Sequence, residues 1–183
     1  NAQPGWRPLF NGRNLDGWDG DPRLWRVGDG VIVGSTEGVT LAANSFLITR
    51  QTFGDFHLKA QVKLRNHNSG IQFRSEALPD WGVRGLQGDM AENNHWGSIY
   101  DERGKRGILV NGWKGKAEKV VRGNDWNDYE VICDGDLIQL KVNGLLTAEL
   151  RDTARMSGVI ALQLHRGPAM EVQFRNLRIK VLR

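Results

Sequence analysis

His57-Leu58-Lys59-Ala60-Gln61-Val62-Lys63-Leu64 alternates polar and apolar side chains without a fault. A period of two marks a strand with one buried face. Wound as a helix, the same four apolar residues would fall on two opposite sides of the cylinder. The pattern returns in Ser69–Arg74, in Leu137–Val142 and in Val159–His165. The basic stretch Phe174–Arg183 also alternates, which predicts a half-buried strand with a solvated outer face. Asn143-Gly144 separates two such runs and is a strong hairpin signal. Asp29-Gly30, Asn111-Gly112 and Asp134-Gly135 mark further turns.

Longer segments are read the same way. Glu76–Gly85, with Pro79 and Trp81, is expected to be a loop at the sheet edge, as is Ala91–Gly97. Only Asp152–Met156 offers a turn or two of helix. The expected architecture is therefore all-β: a two-sheet antiparallel β-sandwich of jelly-roll type, a single domain over residues 1–183.

Composition narrows the function classes. A net charge of +4 is spread along the chain, and no segment concentrates it, which argues against nucleic acid. No apolar stretch approaches the ~18 residues of a membrane span. Cys133, the lone cysteine, sits in Val131-Ile132-Cys133 and reads as a small buried hydrophobe. The start at Asn1 without Met fits a trimmed, exported protein, periplasmic or extracellular.

Alternation also sorts side chains by face. Ile71, Phe73, Leu86, Met90, Ile99, Ile160, Leu162 and Leu164 read as core. The opposite face then carries Gln72, Arg74, Glu76, Gln87, Asp89, Tyr100, Glu102, Gln163 and His165. These groups hydrogen-bond hydroxyls directionally and can move protons, unlike the Lys, Thr and Ser of a merely wetted sheet. On neighbouring strands they would form a concave site for a carbohydrate-like ligand. Trp81, Trp96 and Trp113 lie in or near loops and are the candidate stacking platforms. An Arg74 ion pair with Glu76 or Asp89 is the bland alternative. No phosphate loop, G-x-S-x-G elbow or H-E-x-x-H pair occurs, and the E-x-D-x-E strand of jelly-roll glucanases is absent.

Five stretches in order resemble a known family, the 3-keto-disaccharide hydrolase domain. They are Leu9–Trp18, Asn68–Arg74, Gly97–Glu102, Trp126-Asn127, and Gly158–His165 with Phe174–Leu177. The resemblance implies a concanavalin-A-type jelly roll, bacterial export, and cleavage of glycosides already oxidised to a ketone at C3. Many members read G-Y-E-x-Q-x-x-D in the central strand. Here Arg84-Gly85-Leu86-Gln87-Gly88-Asp89 keeps Gln and Asp and lacks the Glu. On this basis Asp89 or Glu102 is the expected base and His165 or Tyr100 the expected acid. Arg74, or a divalent metal held by Asp89, Glu102 and His165, would stabilise the enolate. Gln72, Gln87 and Gln163 would bind sugar hydroxyls, with Glu76, Trp96 and Trp113 around them. An oxidised disaccharide or oligosaccharide is the expected ligand, made by a partner oxidoreductase. A non-catalytic carbohydrate-binding module and a hydrolase of unoxidised glycans are the alternatives.

Overall fold

The computed structural model describes residues 4–183, which form two antiparallel sheets packed face to face as a jelly-roll sandwich. The first sheet runs β13 (Leu145–Arg151), β12 (Leu137–Val142), β11 (Trp126–Asp134), β6 (Phe56–Leu64), β15 (Glu171–Val181), β4 (Val31–Ser35) and β3 (Trp25–Gly28). Strand β1 (Trp6–Pro8) adds to β15. The second sheet runs β10 (Ile108–Val110), β9 (Ile99–Glu102), β8 (Val83–Ala91), β7 (Asn68–Ala77), β14 (Gly158–Leu164), β5 (Ser45–Phe53) and β2 (Trp18–Asp19).

The alternation of residues 57–64 does what its period requires. Leu58, Ala60, Val62 and Leu64 are buried between the sheets, and His57, Lys59, Gln61 and Lys63 stand on the outer face. Ile71, Phe73, Leu86, Met90, Ile99, Ile160, Leu162 and Leu164 meet them from the second sheet. Asn143-Gly144 closes the β12–β13 hairpin with both residues at positive φ, as a tight primed turn demands. Cys133 is buried, and desolvation pushes its thiol up to about 12, so it stays an inert apolar group.

One side chain crosses the core. The fully buried Tyr129 of β11 donates its hydroxyl hydrogen to the Asp89 backbone carbonyl of β8 at 2.9 Å. It can do so because position 88 is glycine: a Cβ there would lie 2.9 Å from the Tyr129 ring.

Three local expectations are corrected. Residues 76–85 are not one loop, since β7 runs to Ala77 and β8 starts at Val83, leaving a five-residue connection. Residues 152–156 are not helical: the Asp152 carboxylate accepts from the Ala154 N–H and pairs with Arg106, which favours a turn. Arg74 does not share the outer face with Gln72. The β7 register slips between Phe73 and Glu76, and Arg74 takes φ +45 within this bulge. Its fully buried guanidinium therefore donates to the Gly54 carbonyl at 3.0 Å and to Asp55 Oδ1 at 2.9 Å.

Truncating one partner of a buried ion pair leaves the other uncompensated. Arg74→Ala should lower stability in urea unfolding by about 3–5 kcal/mol. Glu76→Ala, which removes surface pairs with Arg84 and Arg155, should cost less than about 1 kcal/mol. An Arg74→Ala protein as stable as the parent would return this residue to the ligand site.

Candidate active site

Leu86, Gly88 and Met90 of β8 face the core, so Gln87 and Asp89 are turned to the outer face of the second sheet. Ile99 faces inward on β9 and leaves Tyr100 and Glu102 outward. On β14, Leu162 and Leu164 are core, which sends out Gln163 and, one residue past the strand, His165. These six line a depression of about 250 Å³ together with Asn44, Asn68, His95 and Ile108. Two strands separate β9 from β14, about 14 Å across a flat sheet. Yet Gln163 Nε2 reaches Glu102 Oε2 at 3.5 Å, so the sheet curls towards this face and makes it concave.

The floor is a chain of amides. Ser75 Oγ donates to Gln72 Oε1 at 2.6 Å, and Gln72 Nε2 donates to Gln87 Oε1 at 2.8 Å. Gln87 Nε2 then donates both to Asp89 Oδ1 at 3.1 Å and to Gln163 Oε1 at 3.3 Å. Through Gln163 the chain ends on Glu102, which also accepts from Asn44 Nδ2 at 3.2 Å. Gly70 makes this geometry accessible, because a Cβ there would stand 2.5 Å from the Gln87 amide carbon. Two glutamines thus bridge two carboxylates and hold them in fixed positions.

Both carboxylates are buried, and burial disfavours their charge. Desolvation pushes Asp89 from 3.8 to about 7, against hydrogen bonds from Gln87 and the Met90 N–H; the charge of Glu102 adds to the rise. Desolvation also raises Glu102, opposed by Asn44, His165, Arg103 and Gln163. Tyr100 is raised by its own burial and then by Glu102, Asp89 and Asp101, so its phenol keeps its proton at neutral pH. His165 Nδ1 lies 2.7 Å from the Arg166 carbonyl. A carbonyl only accepts, so Nδ1 carries a hydrogen and Nε2 is left to exchange a proton.

Several expected members are elsewhere. Gln72 is fully buried beneath the site and acts only through Gln87. Arg74 is spent on Asp55, and Glu76 sits exposed at the strand end. Trp96 is core, packed 6.3 Å from the Tyr129 ring, and Trp113 lines a separate depression with Arg65 and Glu92. Among the described residues no three His, Cys, Asp or Glu side chains are grouped to hold a metal ion. Asp89, Glu102 and His165 therefore do not fit the expected metal set.

Asn44, Asn68 and His95 join the site without having been expected there. Asn68 Oδ1 is buried with no hydrogen-bond partner, an unmatched acceptor in the wall of the depression. Its place beside Ser69-Gly70 was the only sequence signal. Asn44 and His95 lie outside the alternating runs and had none.

The Asp89 shift has a signed consequence for stability. Below about pH 4 the side chain is protonated in both folded and unfolded chains. From there to pH 7 only the unfolded chain ionises, so stability falls as pH rises, by about 4 kcal/mol in all. Asp89→Asn removes this loss. The variant should match the parent near pH 4 and unfold at a distinctly higher urea concentration at pH 8. An equal difference at both pH values would contradict the assignment.

No curated protein matches the chain in sequence. Among solved structures, a Parabacteroides distasonis ATCC 8503 protein proposed to be a glycosyl hydrolase superposes with a TM-score of 0.74 at 21% identity, over 98% of this chain and 94% of its own. The Bacillus licheniformis β-glucanase gives 0.65 at 14% identity, over 99% and 100% of the two chains. The carbohydrate-binding module CBM66 from Bacillus subtilis gives 0.70 at 15%, over 90% and 95%. At these identities the likeness is one of fold. Residues 5–180 match the family model of the 3-keto-alpha-glucoside-1,2-lyase-like domain, and the chain belongs to that carbohydrate-active family.

Proposed function

We propose that this protein cleaves glycosides already oxidised to a ketone at C3. The observation that carries this is the buried, amide-bridged pair Asp89 and Glu102, with Asp89 held near neutrality. A base is most effective when its pKa lies near the working pH. A simple binding face gains nothing from two carboxylates that burial penalises.

The chemistry follows from the ketone, which acidifies the C2 hydrogen. Ionised Asp89 takes that proton, and the electron pair left at C2 delocalises onto the ketone oxygen as an enolate. The Tyr100 hydroxyl, protonated throughout the neutral range, donates to that oxygen. The enolate collapses, the C1–O bond breaks, and His165 gives its Nε2 proton to the departing oxygen. Water then adds to C1 of the new C1–C2 double bond. His165 recovers a proton from that water, and Asp89 returns its proton to C2. The sum is hydrolysis, and no carboxylate acts as a nucleophile. The charge of His165 opposes the rise of Glu102, while Asn68 and Gln163 address ring hydroxyls. An oxidoreductase acting first would supply the ketone.

Release of the leaving group from matched 3-keto and unoxidised glucosides, with and without chelator, tests this. Only the keto compound should be cleaved, and in D2O the product should carry deuterium at C2 to the extent that the Asp89 proton exchanges with solvent before it is returned. Asp89→Asn and His165→Ala should each lower kcat/KM by about 10²–10⁴. In the parent enzyme kcat/KM should rise as the pH increases towards about 7, as Asp89 loses its proton. Equal cleavage of both glucosides would instead indicate an ordinary glycan hydrolase. Oligosaccharide binding without cleavage would indicate a binding module.

A further inference from the structure

The β6–β7 turn meets the β14–β15 connection beside His165. Asn66 already fastens the two: its Nδ2 donates to the Ala169 carbonyl at 2.8 Å, and its Oδ1 accepts from the Glu171 N–H at 3.2 Å. The junction therefore does not depend on His67. Yet His67 Nε2 lies 2.8 Å from the Arg166 carbonyl, the same oxygen that His165 Nδ1 meets at 2.7 Å. That oxygen has two lone pairs and no hydrogen, so each imidazole presents an N–H to it. Arg166 is exposed, where water would serve its carbonyl equally well.

The surroundings are shaped around this shared acceptor. The two rings stand edge to face, with centroids 5.0 Å apart and planes at 80°. His67 takes φ +65, a left-handed backbone uncommon outside glycine, and the Glu92 N–H holds it there by donating to the His67 carbonyl at 2.8 Å. Gly167 takes φ +120, and a Cβ there would stand 3.0 Å from His67 Nε2. The other polar group of the Arg166 backbone is tied as well. Its N–H donates to Asn44 Oδ1 at 2.9 Å, while Asn44 Nδ2 donates to Glu102 Oε1 at 3.2 Å.

We propose that His67 is a positioning residue for His165. By fixing the Arg166 carbonyl, it keeps the hydrogen of the neutral His165 ring on Nδ1 and leaves Nε2 for the ligand. A carbonyl free to turn away would release Nδ1, and an imidazole without that bond is held to neither tautomer. The use of Nε2 in glycoside cleavage rests on the activity proposed above; the tautomer does not.

Nitrogen NMR of the labelled protein reads the tautomer directly. It is recorded at about pH 8.5, where imidazoles are ordinarily neutral, with His165 assigned by the signals lost in His165→Ala. The parent should show His165 predominantly with its hydrogen on Nδ1. His67→Gln keeps a donor of similar reach, whereas His67→Asn suits the left-handed backbone better but falls short of the carbonyl. The Gln variant should keep the tautomer, and the Asn variant should shift it towards Nε2–H. With a 3-keto glucoside, kcat should fall about tenfold in His67→Asn, with KM changed less than about twofold, and His67→Gln should recover most of it. An unaltered tautomer in His67→Asn would overturn the proposal. Equal shifts in the Asn and Gln variants would also overturn it, marking the ring as packing only. A shifted tautomer with undiminished kcat would overturn the part of His67 in the reaction. No cleavage by the parent, with a tautomer that still depends on His67, would leave the positioning standing and remove the activity.

Discussion

The hydrogen bond from the Tyr129 hydroxyl to the Asp89 carbonyl joins the two sheets at the one place where the site needs it. A phenol buried without a partner is costly. That need is met through the gap at Gly88 by the Asp89 carbonyl, which also accepts from the Gly97 N–H at 3.1 Å. The bond fixes the height of β8 over the core, and with it the outward aim of Gln87 and Asp89. From there the glutamines carry the constraint to β14 and β9.

This arrangement sets stability against chemistry. A carboxylate that ionises only near neutrality weakens the fold at the pH where it is useful. The amide chain offsets some of that cost and gives the carboxylates fixed positions. By contrast, the Arg74–Asp55 pair at the far end of β7 is a packing device, remote from any proton transfer. Polar residues of β7 thus serve opposite ends, Asn68 at the depression and Arg74 in the buried ion pair, and the local backbone decides which.

That decision marks the limit of what the residues alone reveal. Strict alternation assigned Gln87, Asp89, Tyr100, Glu102 and Gln163 to the correct face, because a period of two leaves one choice once the core residues are known. It failed at Arg74, where the bulge adds a residue at positive φ with no glycine to mark it. The loop tryptophans Trp81, Trp96 and Trp113 could not be told apart by sequence. Trp96 follows His95, whose φ of +62 belongs to a turn that leaves the indole in the core, whereas Trp113 belongs to another depression. Asn44 belongs to the site through tertiary proximity, which no periodicity encodes.

The order of strands has a consequence for how the protein comes into being. β14 lies between β7 and β5, and β15 between β6 and β4, so the last two strands occupy interior positions in both sheets. A growing chain that has not yet emerged past about residue 165 has neither sheet closed and lacks Gln163 and His165. Its earlier strands must wait with their edges unpaired, which exposes them to wrong partners during synthesis. Two fragments divided just before β14 would each be incomplete in both layers, and their reunion would restore fold and site in one event.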